Sequence, residues 1–140
     1  MISFGRQIAT RVANSSLLSH QTATLIRTMH SMTEGVNFDT IAREWRCKWS
    51  SDNDKKSLQE AQKTLESVLA DVKQIDGVKG VQRIVCGGCL DFKVIISLSA
   101  DKFEAWQGVN YAPEEIFLEK IKAIDGISTV ETQNYTITSL

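Results

Sequence analysis

The chain has 140 residues, of which 42% are hydrophobic and 24% are charged, and its formal net charge at pH 7 is −1. A chain of this length suffices for one domain with one hydrophobic core. It contains no run of about 18 apolar residues, so no membrane-spanning helix is predicted.

Residues 1–33 differ in composition from the rest of the chain. They contain Arg6, Arg11 and Arg27, many Ser and Thr, and no Asp or Glu. This composition is typical of an organelle transit peptide, and an ordinary disordered tail is the alternative. We predict that residues 1–36 are a transit peptide, cleaved between Arg27 and Phe38, and that the protein works in the mitochondrial matrix. Another organelle or the cytoplasm is the alternative location.

Removal of this segment would change the charge of the protein. Three of the 16 basic residues precede residue 34, which leaves 13 against 17 acidic residues and a net charge of −4. An acidic domain without a basic run predicts no nucleic-acid partner. Both histidines, His20 and His30, also fall in the predicted transit peptide. The domain that remains would have no histidine, which is the commonest general base and the commonest metal ligand in proteins.

The first half of the remaining chain reads as strand, helix, strand. Residues 43–50 alternate between apolar and charged side chains, which indicates a half-buried strand. Residues 51–54 offer several N-cap candidates, and residues 58–75 carry apolar side chains at helical spacing. Residues 78–86 and 89–98 are two further strands, and Gly87-Gly88 between them is typical of a two-residue hairpin turn.

The second half repeats this order with an insertion. Residues 100–106 predict a short helix, residues 108–111 interrupt it, and a second helical piece follows from Pro113 to Ile124. The segment 127–137 is rich in Thr, Val, Ile and Tyr, as expected of a strand.

An internal repeat predicts the architecture of the domain. The segments 72–78 and 121–127 lie 49 positions apart, and each is a helix end stopped by Asp-Gly before a strand. The same offset aligns Trp45 with Val94. Two strand-helix-strand halves predict an α+β, ferredoxin-like βαββαβ domain over residues 37–140: a four-stranded antiparallel sheet of order 4-1-3-2 with two helices on one face.

The repeat also separates the two faces of the predicted sheet. Trp45, Cys47 and Trp49 fall with Val94 beneath the helices, so the other face is open. A bare sheet face favours a homo-oligomer that associates through it, and a solvated, ion-paired face in a monomer is the alternative. The open face is predicted to carry Glu44, Arg46, Lys48, Gln82, Ile84, Asp91, Lys93 and Ile95.

Part of the chain resembles a known family. Residues 75–140 contain Asp-Gly-Val-Lys-Gly-Val, then Gly88-Cys89-Leu90-Asp91, then Asp-Gly-Ile-Ser-Thr-Val-Glu-Thr. This stretch resembles the effector-binding domain of the Lrp/AsnC regulators and, more loosely, the dimeric α/β-barrel proteins. The resemblance implies dimerisation and a small-ligand pocket near Gly88 and Asp91 at a subunit interface. The chain lacks the helix-turn-helix of those regulators, so a role on DNA is not implied.

Two further residues complete the candidate ligand site. On the open face, Arg46 is placed to bind a carboxylate or phosphate, with Glu44 and Asp91 nearby, unless these charges form a purely structural network. Tyr111 lies in the irregular insertion, where binding pockets are common. The predicted ligand-binding residues are therefore Arg46, Gly88, Asp91 and Tyr111.

Cys86 and Cys89 flank the predicted turn, with Cα atoms about 5.5 Å apart if they form a hydrogen-bonded pair. Three interpretations stay open: ordinary small residues, a thiol redox pair, and a metal site. Zinc or an iron–sulfur cluster needs about four ligands, so a metal would have to be shared across a dimer through two cysteine pairs. No other cofactor is predicted.

The pattern as a whole favours a non-enzymatic, oligomeric module that binds a small ligand or serves assembly in an organelle. No catalytic residues are predicted, because the sequence shows neither a Ser-His-Asp set nor a phosphate loop. The alternatives are a thiol redox or metal-binding protein that uses Cys86 and Cys89, a dimeric α/β-barrel-type enzyme, and an accessory subunit of an organellar complex.

Overall fold

The structure is a computed structural model, and it describes residues 29–140. Most of the predicted transit peptide, residues 1–28, lies outside the described residues. Across residues 29–140, no helix is both long and apolar enough to cross a membrane. The helices and strands are β1 (His30–Thr33), β2 (Val36–Phe38), β3 (Thr40–Lys48), α1 (Asp52–Lys73), β4 (Val78–Val85), β5 (Asp91–Ser99), α2 (Ala100–Gly108), α3 (Glu114–Lys122) and β6 (Ser128–Thr136).

The chain divides into two compact units between Asp39 and Thr40. In the first unit β1 pairs with β2 as an antiparallel hairpin, whose turn contains Gly35 in the left-handed region with φ of 81°. The rings of His30 and Phe38 stack with centroids 5.5 Å apart. This strand pair was not predicted from the sequence, and the predicted domain start at residue 37 falls within β2.

The second unit, Thr40–Leu140, holds a four-stranded antiparallel sheet in the order β4-β5-β3-β6. The predicted α+β, ferredoxin-like class is confirmed. Counted along the whole chain, the strand numbers differ from the predicted 4-1-3-2 because β1 and β2 precede the sheet.

The described residues form three helices, because the second of the two predicted helical regions is interrupted where the sequence predicted. The second helical region is divided into α2 and α3 because Asn110 and Tyr111 adopt φ of 57° and 56°, and Pro113 cannot continue a helix. The Trp106 indole Nε1 donates to the Ala112 carbonyl at 2.9 Å, which holds the break in place.

The internal repeat correctly assigned the core face of the sheet. Trp45 lies opposite Val94, and Cys47 lies opposite Phe92. At the two helix stops, Gly77 and Gly126 have φ of 90° and 96°, a backbone conformation that favours glycine. The buried cluster beneath the helices includes Trp45, Cys47, Trp49, Ala61, Leu65, Val68, Phe92, Val94, Ile96, Leu98, Phe117 and Ile121.

The predicted two-residue turn between the middle strands is wrong. Strand β4 ends at Val85 and β5 begins at Asp91, so the loop runs from Cys86 to Leu90. Leu90 adopts φ of 62°, and its carbonyl accepts a hydrogen bond from the Trp49 N–H at 3.0 Å. Strand β5 therefore begins two residues later than predicted. Cys86 pairs with Asp91, and not with Cys89 as the sequence predicted.

Candidate functional site

A small polar cleft opens on the sheet face away from the helices. Its volume is about 160 Å³, and it arises where the register of β3 and β6 shifts. Between Arg46 and Lys48 on β3 stands one residue, whereas two residues separate their partners on β6, which is a β-bulge. Thr129 in this bulge has φ of 52°. The cleft is lined by Arg46, Cys47, Lys48, Asp91, Thr129 and Glu131.

Opposite charges meet in this cleft. Arg46 Nη2 lies 2.9 Å from Glu131 Oε1, and Lys48 Nζ lies 2.7 Å from Asp91 Oδ1. The hydrogen bond from Lys48 lowers the pKa of Asp91, and the hydrogen bond to Glu131 raises the pKa of Arg46. The two ion pairs therefore favour the charged forms of Asp91 and Arg46.

A buried carboxylate adjoins the cleft. Glu44 lies between Ile95 and Gln133 of the neighbouring strands and is only 4% exposed. Its Oε1 accepts a hydrogen bond from the Tyr135 hydroxyl at 2.9 Å, and burial, followed by this hydrogen bond, raises the pKa of Tyr135 to about 12. Arg46 Nη1 is 3.4 Å from Oε2, but within residues 29–140 no donor reaches Oε2 with hydrogen-bond geometry. An unsatisfied buried oxygen costs about 1–3 kcal/mol.

The loop between β4 and β5 contacts the same cleft. Cys86 and Cys89 form a disulfide across it, with Cα atoms 5.7 Å apart. Lys48 Nζ donates to the Cys89 carbonyl at 2.8 Å as well as pairing with Asp91. The remaining cysteine of the described residues, Cys47, is a buried free thiol whose pKa burial raises to about 11.

A second polar cluster lies on the helix face. Arg43 donates to both oxygens of Glu114, at 2.6 and 3.0 Å, and the Trp45 indole donates to Glu114 Oε1 at 2.7 Å. Arg43 also donates to Asn134 Oδ1 at 2.8 Å, and its guanidinium carbon lies 3.7 Å from the centre of the Tyr111 ring. Sequence analysis missed Arg43, Glu114 and Asn134, although Arg43 has the same strand parity as Trp45.

The predicted ligand residues are divided between the two faces of the sheet. Arg46 and Asp91 meet in the polar cleft, and Gly88 lies in the adjoining loop, where a Cβ would meet nothing within 4 Å. Tyr111 lies on the helix face beside Arg43, so it does not share a site with them.

No group of three or more His, Cys, Asp or Glu suited to a metal ion occurs among residues 29–140. The disulfide occupies the two thiols that the metal hypothesis uses, so metal binding through them stays a prediction for the reduced protein.

A larger groove runs between α1 and the edge strand β4. Its volume is about 500 Å³, and Leu58, Val85 and Phe92 give it an apolar floor. Arg83 Nη1 donates to Gln62 Oε1 at 2.8 Å at its rim. The size is within the usual range for small-molecule sites.

Comparison with known proteins places this architecture among solved structures. No family model and no curated protein matches the chain. A conserved protein from Methanosarcina mazei is similar over 72% of this chain and 95% of its own, with 12% identity and a TM-score of 0.52. A candidate antibiotic biosynthesis monooxygenase from Deinococcus radiodurans matches over 71% and 94%, with 11% identity and a TM-score of 0.52. SnoaB, a cofactor-independent oxygenase from Streptomyces nogalater, matches over 73% and 96%, with 15% identity and a TM-score of 0.50.

These identities establish the fold alone. The chain shares its α+β fold with these solved structures. The resemblances to the Lrp/AsnC effector-binding domain and to the dimeric α/β-barrel proteins stay predictions.

Proposed function

We propose that the protein is a small-ligand-binding module that works as a homodimer, with its ligand in the polar cleft. The supporting observation is that two cations and two carboxylates surround about 160 Å³ on the open sheet face. A ligand with one anionic and one cationic group, such as a free amino acid, matches this set: its carboxylate pairs with Arg46 and its ammonium group with Asp91. Amino-acid sensing is also what the resemblance to the Lrp/AsnC domains implies.

Exposure distinguishes the cleft from the cluster on the helix face. The side chains of Arg46 and Glu131 are 38% and 50% exposed, so water screens their ion pair and a ligand carboxylate replaces Glu131 at little cost. Arg43 and Glu114 are only 12% and 13% exposed and form a bidentate pair that also holds Trp45. Separating that pair would leave two charges unpaired away from water, so its role is structural.

The homodimer is proposed through the open sheet face. Ile84 on this face is 44% exposed, and the buried Glu44 Oε2 lacks a hydrogen-bond donor in the described residues. A second copy would cover the isoleucine. Light scattering should give twice the chain mass, and Ile84→Glu should give the single mass. Val109→Glu, at a 59% exposed site at the end of α2, is the matched control that stays dimeric. A monomeric wild type would refute the dimer.

Calorimetric titration with the free amino acids tests the ligand. At least one amino acid should bind the wild type, whereas acetate and methylamine, each carrying one of the two charges, should bind more weakly. Arg46→Gln should abolish binding, and Arg83→Gln, which removes an arginine from the helix-side groove, should leave it unchanged. Binding of no amino acid, or an equal loss in both variants, would contradict the proposal.

The groove between α1 and β4 supports a second candidate, a dimeric α/β-barrel-type enzyme. SnoaB shares the fold and is a cofactor-independent oxygenase. Oxygenation without a cofactor requires a substrate that is itself electron-rich, and an apolar groove of about 500 Å³ can admit one. Oxygen uptake with hydroquinones tests this candidate. Enzyme-dependent uptake that Val85→Glu, at a 41% exposed position of the groove, reduces without changing circular dichroism would favour it over the binding module.

We also propose mitochondrial import directed by residues 1–36, on compositional grounds. A fluorescent protein fused to residues 1–36 should enter mitochondria, and the fusion in which Arg6, Arg11 and Arg27 are replaced by Glu should not. Cytosolic fluorescence of the unaltered fusion would refute this location.

A further inference from the structure

The disulfide between Cys86 and Cys89 adds little to the stability of the fold. Cross-links stabilise chiefly by restricting the unfolded chain, and the effect is smallest for short loops. This bond joins residues only three apart. Its loop is also held without it, because the Cys86 N–H donates to the Asp91 carbonyl at 3.0 Å and the Trp49 N–H to the Leu90 carbonyl at 3.0 Å.

The bond is accessible from one side. Cys89 is exposed and Cys86 half-buried. Gly87 and Gly88 provide no side chain that could shield the sulfurs, and the space beside both glycines is empty to 4 Å. Lys48, 2.7 Å from Asp91, neutralises the nearest carboxylate, so an approaching thiolate is not repelled by it.

The two sulfurs also differ in their hydrogen bonds. The backbone N–H of Cys89 points at Cys86 Sγ, 3.1 Å away, and a donor in this position stabilises a thiolate there. Cys89 Sγ instead lies 3.2 Å from Asp91 Oδ2, an acceptor that suits a protonated thiol. When the bond breaks, negative charge is therefore favoured on Cys86.

We propose that Cys86–Cys89 is a thiol–disulfide exchange site that a dithiol reductant reduces by attack on Cys89. A thiolate of the reductant bonds to Cys89 Sγ while the bond between the two cysteines breaks, and Cys86 leaves with the electron pair as a thiolate. The second thiol of the reductant, as its thiolate, then displaces Cys89 from the mixed disulfide. Cys89 takes a proton and donates it in a hydrogen bond to Asp91, and Cys86 equilibrates with solvent protons. The reductant is oxidised to its disulfide by two electrons, and the protein gains two thiols.

Mapping the mixed disulfide tests this assignment. The oxidised full-length protein is treated with reduced glutathione and quenched in acid with N-ethylmaleimide, and the peptides are analysed by mass spectrometry. Glutathione should occupy Cys89, and maleimide Cys86, in about tenfold excess over the reverse, the ratio given by one hydrogen bond of about 1.4 kcal/mol. Buried Cys47 is the internal control and should stay unlabelled until the protein is denatured. Glutathione mainly on Cys86, equal labelling, or no reduction of the native protein by dithiothreitol would overturn the proposal.

Single variants provide an independent measurement. The Cys89→Ser variant keeps the backbone N–H at position 89, which donates to the remaining thiol, Cys86. Alkylation of Cys86 in this variant should therefore begin about one pH unit lower than alkylation of Cys89 in the Cys86→Ser variant. Circular dichroism checks that both variants are folded. The reverse order, or equal pH dependence, would show that the hydrogen bonds do not direct the reaction.

Discussion

Loss of the Glu114 carboxylate should destabilise the domain strongly. Glu114→Ala removes the acceptor of three hydrogen bonds, two from Arg43 and one from the indole of Trp45. It leaves Arg43 without its counter-ion where it is 12% exposed, and it leaves a donor unpaired on Trp45, which is 0% exposed. Breaking a buried ion pair costs about 3–5 kcal/mol, and each orphaned donor about 1–3 kcal/mol. We expect a loss of about 4 kcal/mol in the free energy of unfolding.

Urea denaturation followed by far-UV circular dichroism measures this loss. In thermal denaturation, a domain of this size loses roughly 4–8 °C in melting temperature per kcal/mol, so the melting temperature should fall by more than 15 °C. Glu114→Gln, which keeps one acceptor oxygen, should lose about half as much. The matched control is Glu131→Ala, which removes the exposed partner of Arg46 and should change stability little. If Glu114→Ala and Glu131→Ala proved equally stable, the distinction between a structural cluster and a ligand cleft would fail.

Four other outcomes follow from the site. The raised pKa of Tyr135 means that the folded state resists ionisation of its hydroxyl, so the free energy of unfolding should fall between pH 10 and about 12. Urea titrations at alkaline pH should show that Tyr135→Phe removes this fall. The lowered pKa of Asp91 contributes stability that is present above about pH 4 and is lost below it. In urea titrations at acid pH, the free energy of unfolding of Asp91→Asn should therefore depend less on pH than that of the wild type. Replacing both Cys86 and Cys89 by Ser should leave circular dichroism and oligomeric mass unchanged, and unfolding of this variant would show the disulfide to be structural. If the reduced thiols bind metal across a dimer, elemental analysis after reduction in zinc should give about one half zinc per chain, and zinc at the same level in the double variant would contradict it.

The core was predictable because strand parity and an internal repeat determine it locally. Trp45 and Val94 lie on one face because side chains alternate along each strand, and the 49-residue offset linked the two strands. The same parity placed Arg46 and Asp91 together on the open face. Glu131 and Thr129 were missed because their position depends on a β-bulge, and the segment 128–131 contains no glycine that would indicate one.

The features that the sequence did not predict depend on contacts between distant segments. Arg43 and Glu114 are 71 positions apart, and neither belongs to a motif. The loop between β4 and β5 is longer than Gly87-Gly88 suggested because the Leu90 carbonyl is drawn to Trp49. Tyr111 lies in an irregular segment without periodicity, so nothing in the sequence indicated that it faces the helices.

Lys48 gives the open face a single shared counter-ion. The same ammonium group reaches Asp91 in the cleft and the carbonyl of Cys89 in the disulfide loop. A ligand that binds the Lys48 ammonium group in the cleft would weaken its hydrogen bond to the Cys89 carbonyl. Loss of that hydrogen bond would in turn leave the ammonium group free to bind the ligand. Because such coupling is reciprocal, any change in loop conformation that alters ligand affinity in the cleft would be matched by an equal effect of the ligand on the loop.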